Sequence, residues 1–297
     1  MAEHLILESS PHLWSGRGVR SIMGEVLLAL APATLAGIYF FGRPALVTVI
    51  SAMLGAVGGE ALLQRLRRRP LRVGDLSAAV TGLLLALSLP PQLPWWLPFL
   101  GGWLAVGLVK EFFGGLGHNF LNPALAARAF LLAAWPDLLT HFTRPFDALG
   151  AATPLAHPGG SWAALFWGQV PGSLGETFHP GLLLGGLYLW SRGIIDLAAP
   201  LGFLAALGLG GGLSGLGWQR SLLSGGALLA AFFMTTDYPT TPLTRSGRWL
   251  FGLGAGAVTA LIRAEGPMPE GVTYGILLMN LATPLLDRWL APRGLRR

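Results

Sequence analysis

One hydroxyl stands out because the sequence leaves so little bulk around it. Residues 147–155 read Asp147-Ala-Leu-Gly150-Ala151-Ala152-Thr153-Pro154-Leu155, a small-residue loop between two strongly apolar segments. Ala151 and Ala152 leave the Thr153 hydroxyl open to a bulky group, and Pro154 restricts the backbone of the residue it follows. The chemistry on offer is attachment rather than turnover, and nothing near it has the spacing of a catalytic constellation.

The other polar positions of interest are set in or beside apolar runs. Asn119 and Asn122 flank an apolar pair just before Pro123. Asn122 suits a helix N-cap and Pro123 the first helical turn, while both amides are also able to hold a ligand. Arg128 falls inside an apolar run, where a cation is costly unless it is paired or faces a polar cavity. Glu176, beside Gly175 and Thr177, is the matching acid in the second half. Asp237 follows Thr235 and Thr236 at a proline-stopped helix end, placed to satisfy backbone donors freed there or to line a cavity. Glu25 and Glu60 read as interfacial acids near one membrane face.

The elements that must position these groups are membrane helices. Of 297 residues, 53% are hydrophobic and 11% charged, where soluble domains carry about 25% charged residues. Mean hydropathy is +0.58, and apolar runs extend along the whole chain, so the reading is a polytopic membrane protein. The pI of about 10.7 reflects basic clusters between apolar runs, which are topology signals and not a nucleic-acid surface. Cysteine is absent, which excludes disulfides and thiolate-held clusters or zinc on this chain. None of the six histidines sits at metal-ligand spacing, so no metal site is expected. The first 20 or so residues lack the apolar core of a signal peptide.

Ten apolar segments are legible, at residues 22–41, 44–63, 76–89, 95–113, 123–139, 174–190, 194–213, 222–236, 249–262 and 273–290. The third and eighth are short and end in proline, at Ser88-Leu-Pro-Pro and Thr235-Thr-Asp-Tyr-Pro. They lie five segments apart and so run in opposite directions, the pattern of an inverted repeat with discontinuous helices. The expectation is a single all-α membrane domain over 1–297. It comprises a cytoplasmic segment (1–20), a first five-helix repeat (22–139), an outer loop (140–171), a second repeat (172–290) and a cytoplasmic tail (291–297). With the N-terminus inside, fifteen of the twenty basic residues, Lys110 among them, fall in inside segments, and only Arg43, Arg144, Arg220 and Arg263 fall outside. That split obeys the positive-inside rule. It places both termini in the cytoplasm and Thr153 on the outer face. Small-residue pairs such as Gly55 with Gly59, Gly208 with Gly212 and Gly252 with Gly256 suit close helix packing.

Residues 147–153 resemble the flavin-attachment motif Asp-x-x-Ser/Thr-x-Ala-Thr of the RnfD and NqrB membrane subunits. The runs Phe113-Gly-Gly-Leu-Gly-His-Asn119-Phe-Leu-Asn122-Pro-Ala, Pro171-Gly-Ser-Leu-Gly-Glu176-Thr, Met234-Thr-Thr-Asp237-Tyr-Pro with Ser246-Gly-Arg-Trp, and Pro269-Glu-Gly with Leu278-Met-Asn resemble further family segments in order. The opening Glu8-Ser-Ser-Pro-His and the compact length are closer to RnfD.

The resemblance implies FMN bound to Thr153 through a phosphoester, with Asp147, Gly150, Ala151, Ala152 and Pro154 around it. It also implies a second, non-covalent flavin, riboflavin in NqrB, near Asn119 and Asn122. Arg128, Gly175, Glu176, Thr177, Thr236 and Asp237 would contribute to the flavin environment. Residue 150 is glycine where the family has serine or threonine, so one hydroxyl toward the flavin phosphate or its transferase is lost. The implied function is an electron relay in an Rnf-type ferredoxin:NAD oxidoreductase that moves sodium ions or protons across the bacterial inner membrane. Its implied partners are RnfA-, RnfB-, RnfC-, RnfE- and RnfG-type subunits, membrane lipid and a flavin transferase. No nucleotide-binding fingerprint is present, so NAD is left to a partner. Competing readings are an NqrB-type subunit of a quinone-reducing sodium pump, a small-solute channel or transporter with inverted repeats, and a scaffold that has lost its cofactor.

Overall fold

A helix that has no water around it must satisfy its backbone internally, and the computed structural model answers that demand throughout. It describes residues 18–146, 154–155, 162–265 and 271–290, and every regular element among them is helical. Helix α1 (Val19–Phe41) turns straight into α2 (Arg43–Leu66) at Gly42, whose φ of 67° is open to glycine at no cost, with Pro44 in the first turn of α2. These are 23 and 24 residues long, enough to cross a bilayer's apolar core. Helix α3 (Ser77–Leu87) is only 11 residues long. It is started by Asp75, whose Oδ1 accepts from the Ser77 N–H at 2.8 Å, and it stops before Pro90-Pro91. Helix α4 (Trp96–Leu104) continues as a seven-residue π-helix, Ala105–Glu111. Helix α5 (Pro123–Ala134) and the short α6 (Pro136–Leu139) follow, divided at Trp135 because Pro136 offers no N–H.

The second half opens with α7 (Trp162–Trp167) and a 3-10 turn, Leu174–Glu176. Helices α8 (His179–Ser191) and α9 (Ala198–Leu213) come next. The eighth apolar segment is not one helix. Its first residue, Leu222, ends α10 (Trp218–Leu222), and after a break the chain resumes as α11 (Ala227–Leu229), which runs on as a π-helix, Ala230–Met234. The break falls at Gly225 and Gly226, both left-handed at φ 62° and 67°, a conformation that a helix interior does not contain. Helices α12 (Arg245–Glu265) and α13 (Gly271–Leu290) complete the chain.

Close backbone approach at glycines organises the packing. A Cβ on Gly102 of α4 would lie 2.1 Å from Ala52 O of α2, and one on Gly252 of α12 would lie 2.2 Å from Ala199 O of α9. Gly256 likewise meets Phe203 O, and Gly185 of α8 meets Ala29 O of α1. Gly208 and Gly212 do not work this way. The nearest atom to a Cβ on Gly208 is 3.6 Å away, and no atom of the described residues lies within 4 Å of one on Gly212. Leu35, Leu209, Leu213 and Leu261 are exposed, which suits apolar lipid around the bundle.

The bundle has two polar ends. One gathers the start of α1, the end of α2, residues 69–75 and the loop after α4 around a cavity of about 850 Å³ lined by Arg20, Glu60, Arg72, Asp75 and His118. We call this the Lys110 end. At the other, the Arg263 end, Phe146 N–H donates to Phe40 O at 2.9 Å. The Leu174–Glu176 turn is wedged there against α1 and the end of α3, with Leu174 N–H donating to Leu89 O at 3.1 Å.

Candidate functional site

At the Lys110 end the π-helical ending of α4 carries Lys110 into the bundle. The residue is 2% exposed, and its Nζ lies 2.6 Å from Glu60 Oε1 and 2.6 Å from Ser77 Oγ. Ser77 Oγ in turn donates to Asp75 Oδ1, and Gln64 Nε2 donates to Glu111 Oε1 at 3.1 Å. Two expectations are corrected here. Lys110 is a buried, paired cation rather than one more charge of an inside segment, and Glu60, 1% exposed, is not an interfacial acid. The other acid, Glu25, does sit at the surface, where it accepts two bonds from Arg192. The signal for the buried pair was a lone lysine in an apolar run, but the fifty residues between Glu60 and Lys110 hide their meeting.

Deeper from the same end, four of the expected residues converge. A cavity of about 60 Å³ is lined by Ser77, Lys110, Asn119, Asn122 and Asp237. It abuts an apolar one of about 240 Å³ lined by Met23, Val80, Phe232, Thr236 and Asp237. Asn122 caps α5, its Oδ1 accepting from Leu125 N–H at 3.2 Å, while its own N–H donates to Asn280 Oδ1 at 3.0 Å. Asn119 Nδ2 donates to Leu121 O. Asp237 does not take backbone donors with its carboxylate; Oδ2 accepts from Thr240 Oγ1 at 3.0 Å, and its backbone carbonyl receives the Thr240 and Thr241 N–H groups. Thr236 Oγ1 is turned back onto Phe232 O. Asn280, the last residue of the Leu278-Met-Asn segment, also donates to Thr240 O and so joins α5 to α13.

Arg128 lines neither cavity. It is 4% exposed and its Nη1 donates to Thr273 Oγ1 of α13 at 3.1 Å. The expected group of Arg128 and Asp237 is therefore not gathered at one cavity.

At the Arg263 end, Asp147, Gly150, Ala151, Ala152 and Thr153 lie outside the described residues. Their flanks are placed: Phe146 against the end of α1, and Pro154 buried with Leu155 beside it. Leu155 packs at the helix break, where a Cβ on Gly225 would lie 2.7 Å from Leu155 Cδ1. Gly175 fits between Leu87 O and Leu229, and Glu176 Oε1 lies 3.7 Å from where a Cβ on Gly226 would be. Glu176 accepts from Ser173 Oγ, and Thr177 Oγ1 is spent on Leu174 O. Of the expected residues, Glu176 reaches the break and Gly175 packs on α11 beside it, with Leu155 and Arg263 meeting the same loop; Thr177 turns to Leu174 and Gly168. In the sequence Arg263 reads only as an outer-loop charge.

A family model described as NQR2, RnfD, RnfE matches residues 6–296. The chain belongs to that family. Among curated relatives, the D-type subunit of the Na(+)-translocating ferredoxin:NAD(+) oxidoreductase complex of Acetobacterium woodii is 43% identical, covering 98% of this chain and 95% of its own. The D-type subunit of the proton-translocating ferredoxin:NAD(+) oxidoreductase complex of Clostridium ljungdahlii is 38% identical, covering 96% and 94%. The D-type subunit of the ion-translocating oxidoreductase complex of Stutzerimonas stutzeri is also 38% identical, covering 94% and 92%. Family membership and the all-helical architecture together make this a membrane protein of the family, and its named relatives are subunits of ion-translocating oxidoreductases.

Proposed function

We propose that this chain is the D-type subunit of an Rnf-type ferredoxin:NAD oxidoreductase. In this reading it carries FMN as a phosphoester on Thr153 and relays electrons between flavins while the complex moves an ion. The observation that carries the flavin reading is a pair of buried hydroxyls at the Arg263 end without hydrogen-bond partners among the described residues, Ser224 Oγ and Thr143 Oγ1. Buried hydroxyls are ordinarily bonded, and these lie at the end of the bundle where the flanks of the attachment loop land. Residues of this kind fit a polar cofactor. FMN, once bound, supplies electron exchange in single steps, and the protein sets its potential through hydrogen bonds and nearby charge.

The chain's own contribution follows from the two ends. Leu155, packed against the break before α11, fixes the base of the attachment loop. The Asn119, Asn122, Thr236 and Asp237 cavity at the Lys110 end supports a second, non-covalent flavin, with aromatic Phe232 and Phe233 along its apolar wall. The chain would sit in the bacterial inner membrane as ten spans. The α2–α4 and α9–α12 glycine contacts would be equivalent members of two inverted repeats. The Lys110 end and both termini would face the cytoplasm, by the positive-inside rule, and Thr153 would face outward toward an RnfG-type partner. RnfA-, RnfB-, RnfC- and RnfE-type subunits complete the complex, and a flavin transferase matures it. The relatives' names give sodium ion in one case and proton in another, so either ion is compatible with this sequence.

The test is the intact mass of the subunit purified with its complex and native flavin transferase. A mass increase of one FMN and a fluorescent gel band are expected, both lost in Thr153→Ala with the complex still assembled; an unmodified wild-type mass would overturn the reading. Orientation is tested with single cysteines at His157 and Arg68 in this cysteine-free background. They should label from opposite sides of the membrane, and same-side labelling would reverse the electron route.

A further inference from the structure

Arg263 stands two residues before the end of α12, 8% exposed, in a helix of apolar and small residues. Its guanidinium reaches one stretch of chain, residues 221–225, with three hydrogen bonds. Nη1 donates to Ser221 O at 2.7 Å, and Nη2 donates to Ser224 O at 3.0 Å and Gly225 O at 3.1 Å. Only a planar fork with several donors can hold three carbonyls in fixed relation. Those carbonyls belong to the interruption between α10 and α11, where no helical N–H is aligned to receive them. At Gly225 the fit is tight: a Cβ would lie 2.4 Å from Arg263 Nη2 and 2.7 Å from Leu155 Cδ1. The interruption is therefore gripped by Arg263 and covered by Leu155.

Leu155 is two residues after Thr153, and two residues of chain span at most about 7 Å. Ser224 immediately precedes the double glycine of the gripped stretch. It is 3% exposed, and its Oγ has no hydrogen-bond partner among the described residues. A buried hydroxyl left unbonded has a cost, and serine here is no better than alanine for packing.

We propose that the 221–226 interruption forms one wall of the flavin site. Ser224 Oγ makes a hydrogen bond to the cofactor carried on Thr153, and Arg263 is the positioning residue that holds Ser224 in place. The ligand class is a flavin mononucleotide, and the contact is to one of its polar edges. This rests on the reading of Thr153 as the attachment site, and the wild-type measurement tests that separately.

The experiment compares wild type, Ser224→Ala, Arg263→Met and Arg263→Lys in the complex purified with its flavin transferase. Flavin content is read by intact mass, and the midpoint potential of the subunit flavin by redox titration. A merely structural Ser224 predicts that alanine changes nothing, because no bond is lost. The cofactor contact predicts that Ser224→Ala assembles normally, with a shifted potential and several-fold slower flavin reduction. Arg263→Met should lose at least half its flavin content or show the same shift, and Arg263→Lys should recover part of it. If Arg263→Met does not assemble, Ser224→Ala alone decides the matter. Wild-type potential and kinetics in Ser224→Ala would overturn the proposal. An unmodified wild-type subunit would overturn the Thr153 reading on which it rests.

Discussion

Lys110 and Arg263 are both cations taken inside the bundle, one toward each end, and they are accommodated in different ways. Lys110 faces a carboxylate and a hydroxyl, each 2.6 Å away, at the edge of connected cavities. Arg263 holds backbone carbonyls, with the Ser224 hydroxyl beside them lacking a partner among the described residues. The first arrangement neutralises charge within the protein and leaves open space. The second fixes the shape of a loop and leaves polar atoms unanswered. A buried ion pair is poor proof of stabilisation, since desolvation offsets attraction, so the Lys110 pair is better read as a fixed polar floor. The Arg263 end reads as a surface shaped for something else to complete it.

The largest effect should come from breaking the pair at one member. Lys110→Met strands Glu60 in the bundle and should cost about 3–5 kcal/mol, seen as a marked fall in the thermal midpoint of the purified complex. Adding Glu60→Leu should recover most of the loss; if the double variant is no better than the single, the pair is not what holds this end. Next comes the seam between α5 and α13. Asn280→Leu leaves the Asn122 N–H without its acceptor and should cost about 1–3 kcal/mol, measured in the same way, with the Thr153 flavin unaffected.

Arg128→Leu sharpens the comparison in the middle of the bundle. A charge placed within a span costs about 2.5–3.5 kcal/mol on insertion scales, so its retention calls for an offset. Normal assembly with a displaced flavin potential is expected, whereas poor yield with normal flavin behaviour would make its bond to Thr273 purely structural. The smallest effect is at the surface. Arg192→Ala removes the solvent-screened pair with Glu25 and should leave the thermal midpoint of the complex essentially unchanged.

The helices were legible because a bilayer requires long apolar runs, and the starts of α2 and α5 were written in Pro44 and in Asn122-Pro123. The short third segment was readable from Pro90-Pro91. What stayed hidden was of two kinds. The eighth segment is as apolar as its neighbours, and its break depends on the φ of Gly225 and Gly226, which hydropathy does not register in a chain with 43 glycines. Cross-bundle meetings such as Glu60 with Lys110, Asn122 with Asn280 and Arg263 with Ser224 join residues 39 to 158 positions apart. No local spacing predicts them. Asn119, Asn122, Thr236 and Asp237 stand out singly in the sequence, and the fold adds that they share connected space. Arg128 lines neither space and donates to Thr273 instead.

The shortness of α3 and of α11 with its π-helical extension has an electrical consequence. Eleven residues rise about 16 Å and the eight of α11 with its π-helical extension no more than about 12 Å, against a hydrocarbon core of about 30 Å. Where the two broken helices stand in for full spans, polar groups at either end come much nearer to one another than the lipid faces do. In the proposed orientation, with water reaching both ends of this slab, membrane voltage would fall chiefly across it, and each elementary charge crossing it would meet most of the roughly 2.3 kcal/mol per 100 mV that the full membrane imposes.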